Sequence, residues 1–149
     1  MQLTLYTDYS LRVLVYLGVK QEGVSTITDI ANDYGISRNH LVKVVHNLGN
    51  LGYIKTLRGR GGGLKLSREA SLINIGDVVR HTEGSFNLVE CFDREINTCP
   101  ISEMCALKGA LYTAQKRFIE VLDEFTLADV VGNRQELSTL LGVPVVVEA

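Results

Sequence analysis

The stretch RGRGGG at positions 58–63, set between two short segments of alternating side chains, constrains this chain more than any other part of it. Alternation runs over Tyr53 to Leu57 and again over Leu64 to Leu66, which predicts two paired strands. The glycines between them allow backbone angles closed to other residues, and Arg58 and Arg60 put two guanidinium groups on the tip of the hairpin. A glycine-rich loop that cradles a nucleotide has to follow a buried strand and open a helix. Here a strand follows, so the feature reads as a basic wing.

What precedes the wing gives it meaning. Thr7 is placed to cap a helix running to about Lys20, with Leu11, Leu14, Val15 and Gly18 in one stripe and Val13 and Leu17 off it. Apolar residues on more than one side predict a helix held between two bodies, hence a subunit contact. Gly23 ends this segment, and Thr26 with Asp29 reads as a capping box opening a short helix to Tyr34. Gly35 supplies a turn, Ser37 caps the next helix, and Leu41, Val44, Leu48 and Leu51 form its inward stripe up to Gly52. Two helices joined by a tight glycine turn predict a helix-turn-helix whose second member enters a major groove.

The outward face of that second helix carries Arg38, Asn39, His40, Lys43 and Asn47, with no carboxylate among them. Cations bond phosphates or guanine edges, Asn pairs with adenine, and a carboxylate would be repelled. Candidate nucleic-acid contacts are therefore Ser37, Arg38, Asn39, His40 and Lys43 in the major groove, with Arg58 and Arg60 on phosphates or in the minor groove. The net charge of -2 conceals a matching asymmetry: residues 1–70 carry nine Lys or Arg against five acids, and the remainder six against twelve. Only the first half suits a polyanion.

With 149 residues, 46% of them hydrophobic, there is material for one compact domain plus an appended element. No apolar run is long enough for a membrane span and the opening MQLTLYTDYS lacks a signal-peptide pattern, so the expected location is the cytoplasm. The chain divides into a winged helix-turn-helix at 1–82, a cysteine-rich loop at 83–106, a dimerisation helix and following turn at 103–132, and a tail at 133–149. The expected fold class is mostly α with a small β-hairpin wing and one long dimerisation helix.

The only three cysteines, Cys91, Cys99 and Cys105, fall within fifteen residues, the last just inside the next helix. Their spacing is looser than zinc or ferredoxin patterns and names no metal, but clustered thiols in an otherwise cysteine-free chain favour ligation of a soft metal. Met104, Leu107, Leu111, Ala114, Phe118, Val121 and Phe125 then recur at spacings of three and four, the seam of a helix pair. Such a stripe can also face the chain's own core; the small footprint of one helix-turn-helix half-site favours a homodimer. Thr126 caps a short turn, TLADVVG, and a tail ends the chain.

The opening YTDYSLRVLVYL, the segment ISRNHLVKVV, the wing RGRGGGLKL, INIGDVVR, the cysteine region ending CPISEMC and the close FTLADVV together resemble the iron-sulfur winged-helix repressor family, in its nitric-oxide-sensing branch. The resemblance covers nearly the whole chain. It implies a homodimeric repressor on a palindromic double-stranded DNA operator, with one 4Fe-4S cluster per subunit on Cys91, Cys99 and Cys105, and Asp8 of the other subunit as fourth ligand. Nitric oxide would be the signal. From its position alone, Asp8 reads equally as a helix-start acid paired with Arg12.

A related branch of cluster-assembly regulators has a histidine three residues beyond the last cysteine, where this chain has Lys108. The histidines it does have, His40, His46 and His81, fall on the DNA-reading helix and at a helix end. A zinc- or thiol-redox-dependent regulator is the competing class. An enzyme has the least support, since neither a nucleophile-base pair nor a dinucleotide fingerprint is present.

Overall fold

The computed structural model describes residues 1–145. Its first helix, α1 (Leu5–Lys20), is the axis of the molecule. Val13, Leu14, Tyr16, Leu17 and Val19 are all buried along it, on more than one side. The expected subunit contact is not what covers them. The helices α2 (Ile27–Tyr34), α3 (Arg38–Asn50) and α4 (Ile75–Thr82) pack on one part of its circumference, while α6 (Leu127–Val130) and α7 (Arg134–Leu141), from the far end of the chain, pack on another. Gly18 makes the second contact possible, because a Cβ there would stand 3.3 Å from Val131 and 3.4 Å from Leu127.

The start of α1 also differs from expectation. Thr4, not Thr7, is the cap, its hydroxyl accepting from the Thr7 N–H at 3.3 Å. Thr7 lies fully buried one turn inside, where its hydroxyl donates to Glu83 at 2.6 Å. At α2 the capping box of Thr26 and Asp29 forms in both directions. Two hydrogen bonds from Thr26 hold the Asp29 carboxyl below its usual range. Gly35 then takes a left-handed conformation, and α3 presents Leu41, Val44, Val45 and Leu48 to the core, with Leu51 half-buried at its end.

Strands β1 (Ile54–Leu57) and β2 (Gly63–Leu66) pair antiparallel, Ile54 opposite Leu66 and Leu57 opposite Gly63. Ser25 adds a bridge to Leu64 and fastens the hairpin to the α1–α2 connection. The fold is thus mostly helical with one small hairpin wing, as the sequence pattern predicts.

Beyond α4 the chain crosses a loop with a 3-10 turn at Glu90–Phe92 and enters α5 (Ala106–Asp123). The C-terminal end of α5 is fastened to α4. Arg80 donates to both carboxylate oxygens of Asp123 at 2.7 and 2.5 Å, Asn74 donates to the Asp123 carbonyl at 2.7 Å, and Ile75 N–H to the Phe125 carbonyl at 2.9 Å. The ion pair draws the Asp123 carboxyl below its usual range.

The expected tail at 133–149 is instead structured over its first part. Helix α7 occupies Arg134–Leu141, Arg134 donates to the Gly18 carbonyl at 3.3 Å, and Val143 is buried; positions 146–149 lie outside the described residues. The turn after α5 is likewise a short helix, α6, with its own capping box of Thr126 and Asp129 and a fully buried Leu127. Both changes have one physical reason. The apolar surface on the second side of α1 has to be covered, and these two segments cover it. Leu127, Val131 and Val143 thereby join the same hydrophobic core as residues of α1 to α4.

Candidate functional site

The inward stripe of α3 fixes what its other face can do. With Leu41, Val44 and Leu48 buried, Ser37, Arg38, Asn39, His40 and Lys43 are all exposed. Ser37 occupies the cap position without a capping bond from its side chain. Arg38 donates to the Thr28 hydroxyl of α2 at 3.3 Å, so its stem leans towards the first helix of the pair. The His40 ring centroid lies 6.1 Å from that of Tyr9 on α1, so one of the candidate contact residues is also close to the central helix.

The wing carries Arg58 and Arg60 exposed at its tip, with Gly59 (φ 95°) and Gly61 (φ 75°) in left-handed conformations. Arg68 braces the base, donating to the Gly52 carbonyl at 3.0 Å and lying 5.0 Å above the Tyr53 ring. Neither α3 nor the hairpin from Ile54 to Leu66 contains a carboxylate, and both carry exposed cations, a composition suited to phosphates and base edges.

The cysteine region is built differently. Cys91 sits in the 3-10 turn, and Cys105 is the N-cap of α5, its Sγ accepting from the Lys108 N–H at 3.4 Å. Both line a cleft of about 1060 Å³ together with Arg94, Lys108 and Tyr112. Cys99 is exposed and does not line that cleft. The intervening loop is closed by Glu90, whose carboxylate accepts from the Thr98 hydroxyl at 2.8 Å and from the Thr98 N–H. Those bonds hold the Glu90 carboxyl below its usual range.

All three thiols are free. Among the described residues no group of three or more His, Cys, Asp or Glu side chains is arranged to hold a metal ion. In donor chemistry the region nevertheless fits a soft metal. Cys91 and Cys105 line one cleft, the third cysteine is a few residues away on a loop of little regular structure, and thiol sulfurs are donors that suit a soft metal.

Asp8 stands in the first turn of α1 and is bound by Arg12 through Nη2 at 2.9 Å and Nε at 3.2 Å. The Arg12 guanidinium also lies 5.8 Å from each of the Tyr9 and Tyr34 ring centroids, and Tyr34 donates to the Arg12 carbonyl at 3.1 Å. Burial pushes the Tyr34 hydroxyl up to about 12. Arg12 is foreshadowed in the sequence as the partner of Asp8, whereas Tyr9 and Tyr34 carry no local signal.

The predicted seam of α5 has no buried residue in the single chain. Met104 is 92% exposed, Leu107 65%, Val121 52% and Phe125 45%; Ala114 is exposed, and Leu111 and Phe118 are half-covered. Met104 and Phe125 lie just outside the helix ends. The face that does meet the protein's own core uses Leu122.

Comparison with known proteins places this geometry. Residues 3–133 match the Rrf2 family, described as an iron-dependent transcriptional regulator. The chain belongs to the Rrf2 family.

Within that family it is similar to the HTH-type transcriptional regulator NsrR of Bacillus subtilis, 52% identical over 142 residues, covering 95% of this chain and 97% of the relative. The same regulator of Bacillus licheniformis is 51% identical over 142 residues, covering 95% and 99%. Among solved structures, IscR of T. potens superposes with a TM-score of 0.73 at 27% identity, covering 92% of this chain and 90% of the other. CymR, described as the global cysteine regulator of B. subtilis, gives 0.71 at 26%, covering 89% and 98%. The chain is an NsrR-type Rrf2 transcriptional regulator and not an enzyme. Among the described residues no helix is long and apolar enough to cross a membrane.

Proposed function

We propose that this Rrf2 regulator is a homodimeric repressor that holds one 4Fe-4S cluster per subunit and leaves a palindromic operator when nitric oxide reacts with that cluster. One observation carries the reading. A winged helix-turn-helix with a cationic face is joined to a helix whose apolar stripe has no buried residue in the single chain, and a thiol-lined cleft stands at the start of that helix. Pairing two stripes buries the apolar surface and relates two reading heads by a two-fold axis, which suits an operator with half-sites about 34 Å apart.

Cys91, Cys99 and Cys105 would hold the cluster, with Asp8 of the partner subunit as the fourth ligand. When bound, the cluster supplies iron that nitric oxide attacks and a tie between two chains. Each remaining part belongs to the protein. Asp8 leaves its ion pair with Arg12 to reach the partner's loop. Arg12 rests on Tyr9, and Tyr9 packs against His40 of α3, so a change in the Asp8–Arg12 pair reaches the DNA-reading helix through two contacts. A hundredfold change in occupancy requires about 2.7 kcal/mol between the two states, within reach of a metal-ligand bond.

The deciding experiment is titration of anaerobically purified holo-protein with nitric oxide, followed by visible absorption and by operator gel shift. Loss of the chromophore and of the shifted band should run in parallel. A colourless zinc protein whose binding ignores nitric oxide would instead establish the zinc- or thiol-dependent reading.

Within the same assay, Arg60→Ala should weaken binding to all DNA sequences alike and lower the slope of log affinity against log salt by about one. A change in base preference would show that Arg60 reads bases.

A further inference from the structure

Glu83 follows the last residue of α4 and opens the loop that carries the cysteines, yet its carboxylate is spent on α1. One oxygen, Oε2, accepts from the Thr4 N–H at 3.1 Å, the Thr4 hydroxyl at 3.1 Å and the Thr7 hydroxyl at 2.6 Å. Thr4 is the cap of α1, and the Thr4 carbonyl accepts the Asp8 N–H at 3.0 Å. A single side chain at the root of the loop thus fixes the cap, the buried Thr7 and, one residue on, the backbone of Asp8. A carboxylate at a helix N-terminus is favoured by the helix dipole, and hydrogen bonds to a charged acceptor are the stronger kind.

We propose that Glu83 is a positioning residue: it sets the first turn of α1 so that Asp8 is presented towards the partner subunit's cysteine loop, and thereby couples the two cluster sites of the dimer. The proposal rests on the reading of Asp8 as the fourth ligand. Ordering the loop of one chain fixes its root, the root fixes Thr4 and Thr7 of that chain, and Asp8 of the same chain is then preset for the other chain's loop. Two sites linked this way fill with positive cooperativity, since the second meets a ligand already ordered.

The test compares Glu83→Ala, Glu83→Gln and Asp8→Ala in the anaerobically loaded full-length protein, read by visible circular dichroism of the bound cluster. Native mass spectrometry of half-loaded dimers supplies a second readout. Glu83→Ala should reproduce the spectral change of Asp8→Ala and raise the share of dimers holding a single cluster. Glu83→Gln retains an acceptor oxygen and should keep the parent spectrum. Should Glu83→Ala fail to accumulate, Thr4→Val, at an exposed position, removes one of the same bonds and should give the same change in weaker form. A parent spectrum from Glu83→Ala, or from Thr4→Val where it stands in, beside an altered one from Asp8→Ala would overturn the proposal. An unaltered spectrum from Asp8→Ala would overturn the fourth-ligand reading beneath it.

Discussion

Cys91→Ala is expected to yield a colourless protein that no longer shifts its operator, with affinity reduced at least about a hundredfold, or about 2.7 kcal/mol. The side chain lies half-buried in a short 3-10 turn at the rim of the cleft and outside the hydrophobic core. Its truncation leaves the packing of α1 untouched, so the variant should remain a folded dimer with unchanged far-ultraviolet circular dichroism. Iron content, visible absorption, sedimentation and gel shift check the separate parts of this expectation. A colourless variant that represses like the parent would remove the cluster from the mechanism. An unfolded one would make Cys91 a packing residue.

The second large effect is expected at the wing. A Cβ on Gly62 would stand 2.1 Å from the Leu57 carbonyl oxygen and 2.9 Å from that of Gly59. Both are backbone atoms of the same turn, so no rotamer change relieves the contact. The Gly62 N–H also donates to the Gly59 carbonyl at 3.0 Å, closing the turn that points Arg58 and Arg60 outward. Gly62→Ala must therefore open the tip, at a cost of about 1–3 kcal/mol of strain. Operator affinity should drop about tenfold or more, equivalent to at least about 1.4 kcal/mol, while the helical core persists. Gel shift and thermal melting test this, and a variant equal to its parent in both would refute the hairpin geometry.

Elements governed by local rules could be read before any coordinates. The Thr26–Asp29 box, the cap at Thr126, the buried stripe of α3 and the strand pairing around RGRGGG each depend on residues a few positions apart. What could not be read depended on distant partners. Thr4 and Thr7 are both able to cap a helix, and Glu83, far along the chain, assigns them different roles. The short helices α6 and α7 have little periodicity of their own; the uncovered side of α1 and the small Gly18 give them a place to pack. The exposed, carboxylate-free face of α3 was legible because its signal is composition on one helix. The cysteine centre was legible only as a set of donors, because loose spacing leaves their arrangement to the loop, and Asp8 is engaged with Arg12 in the single chain.

The fastening of α5 at its C-terminal end has a mechanical consequence. Eighteen residues make a rod about 27 Å long, and its anchored end is clamped to α4 by Arg80, Asn74 and the backbone of Ile75. A swing of about 10° about that clamp carries the cysteine end through roughly 5 Å on the same rise per residue. In the proposed repressor, an excursion of that size at the cysteine end would answer to only a slight turn at the clamp, and a slight turn would put a reading head out of step with a groove of fixed pitch.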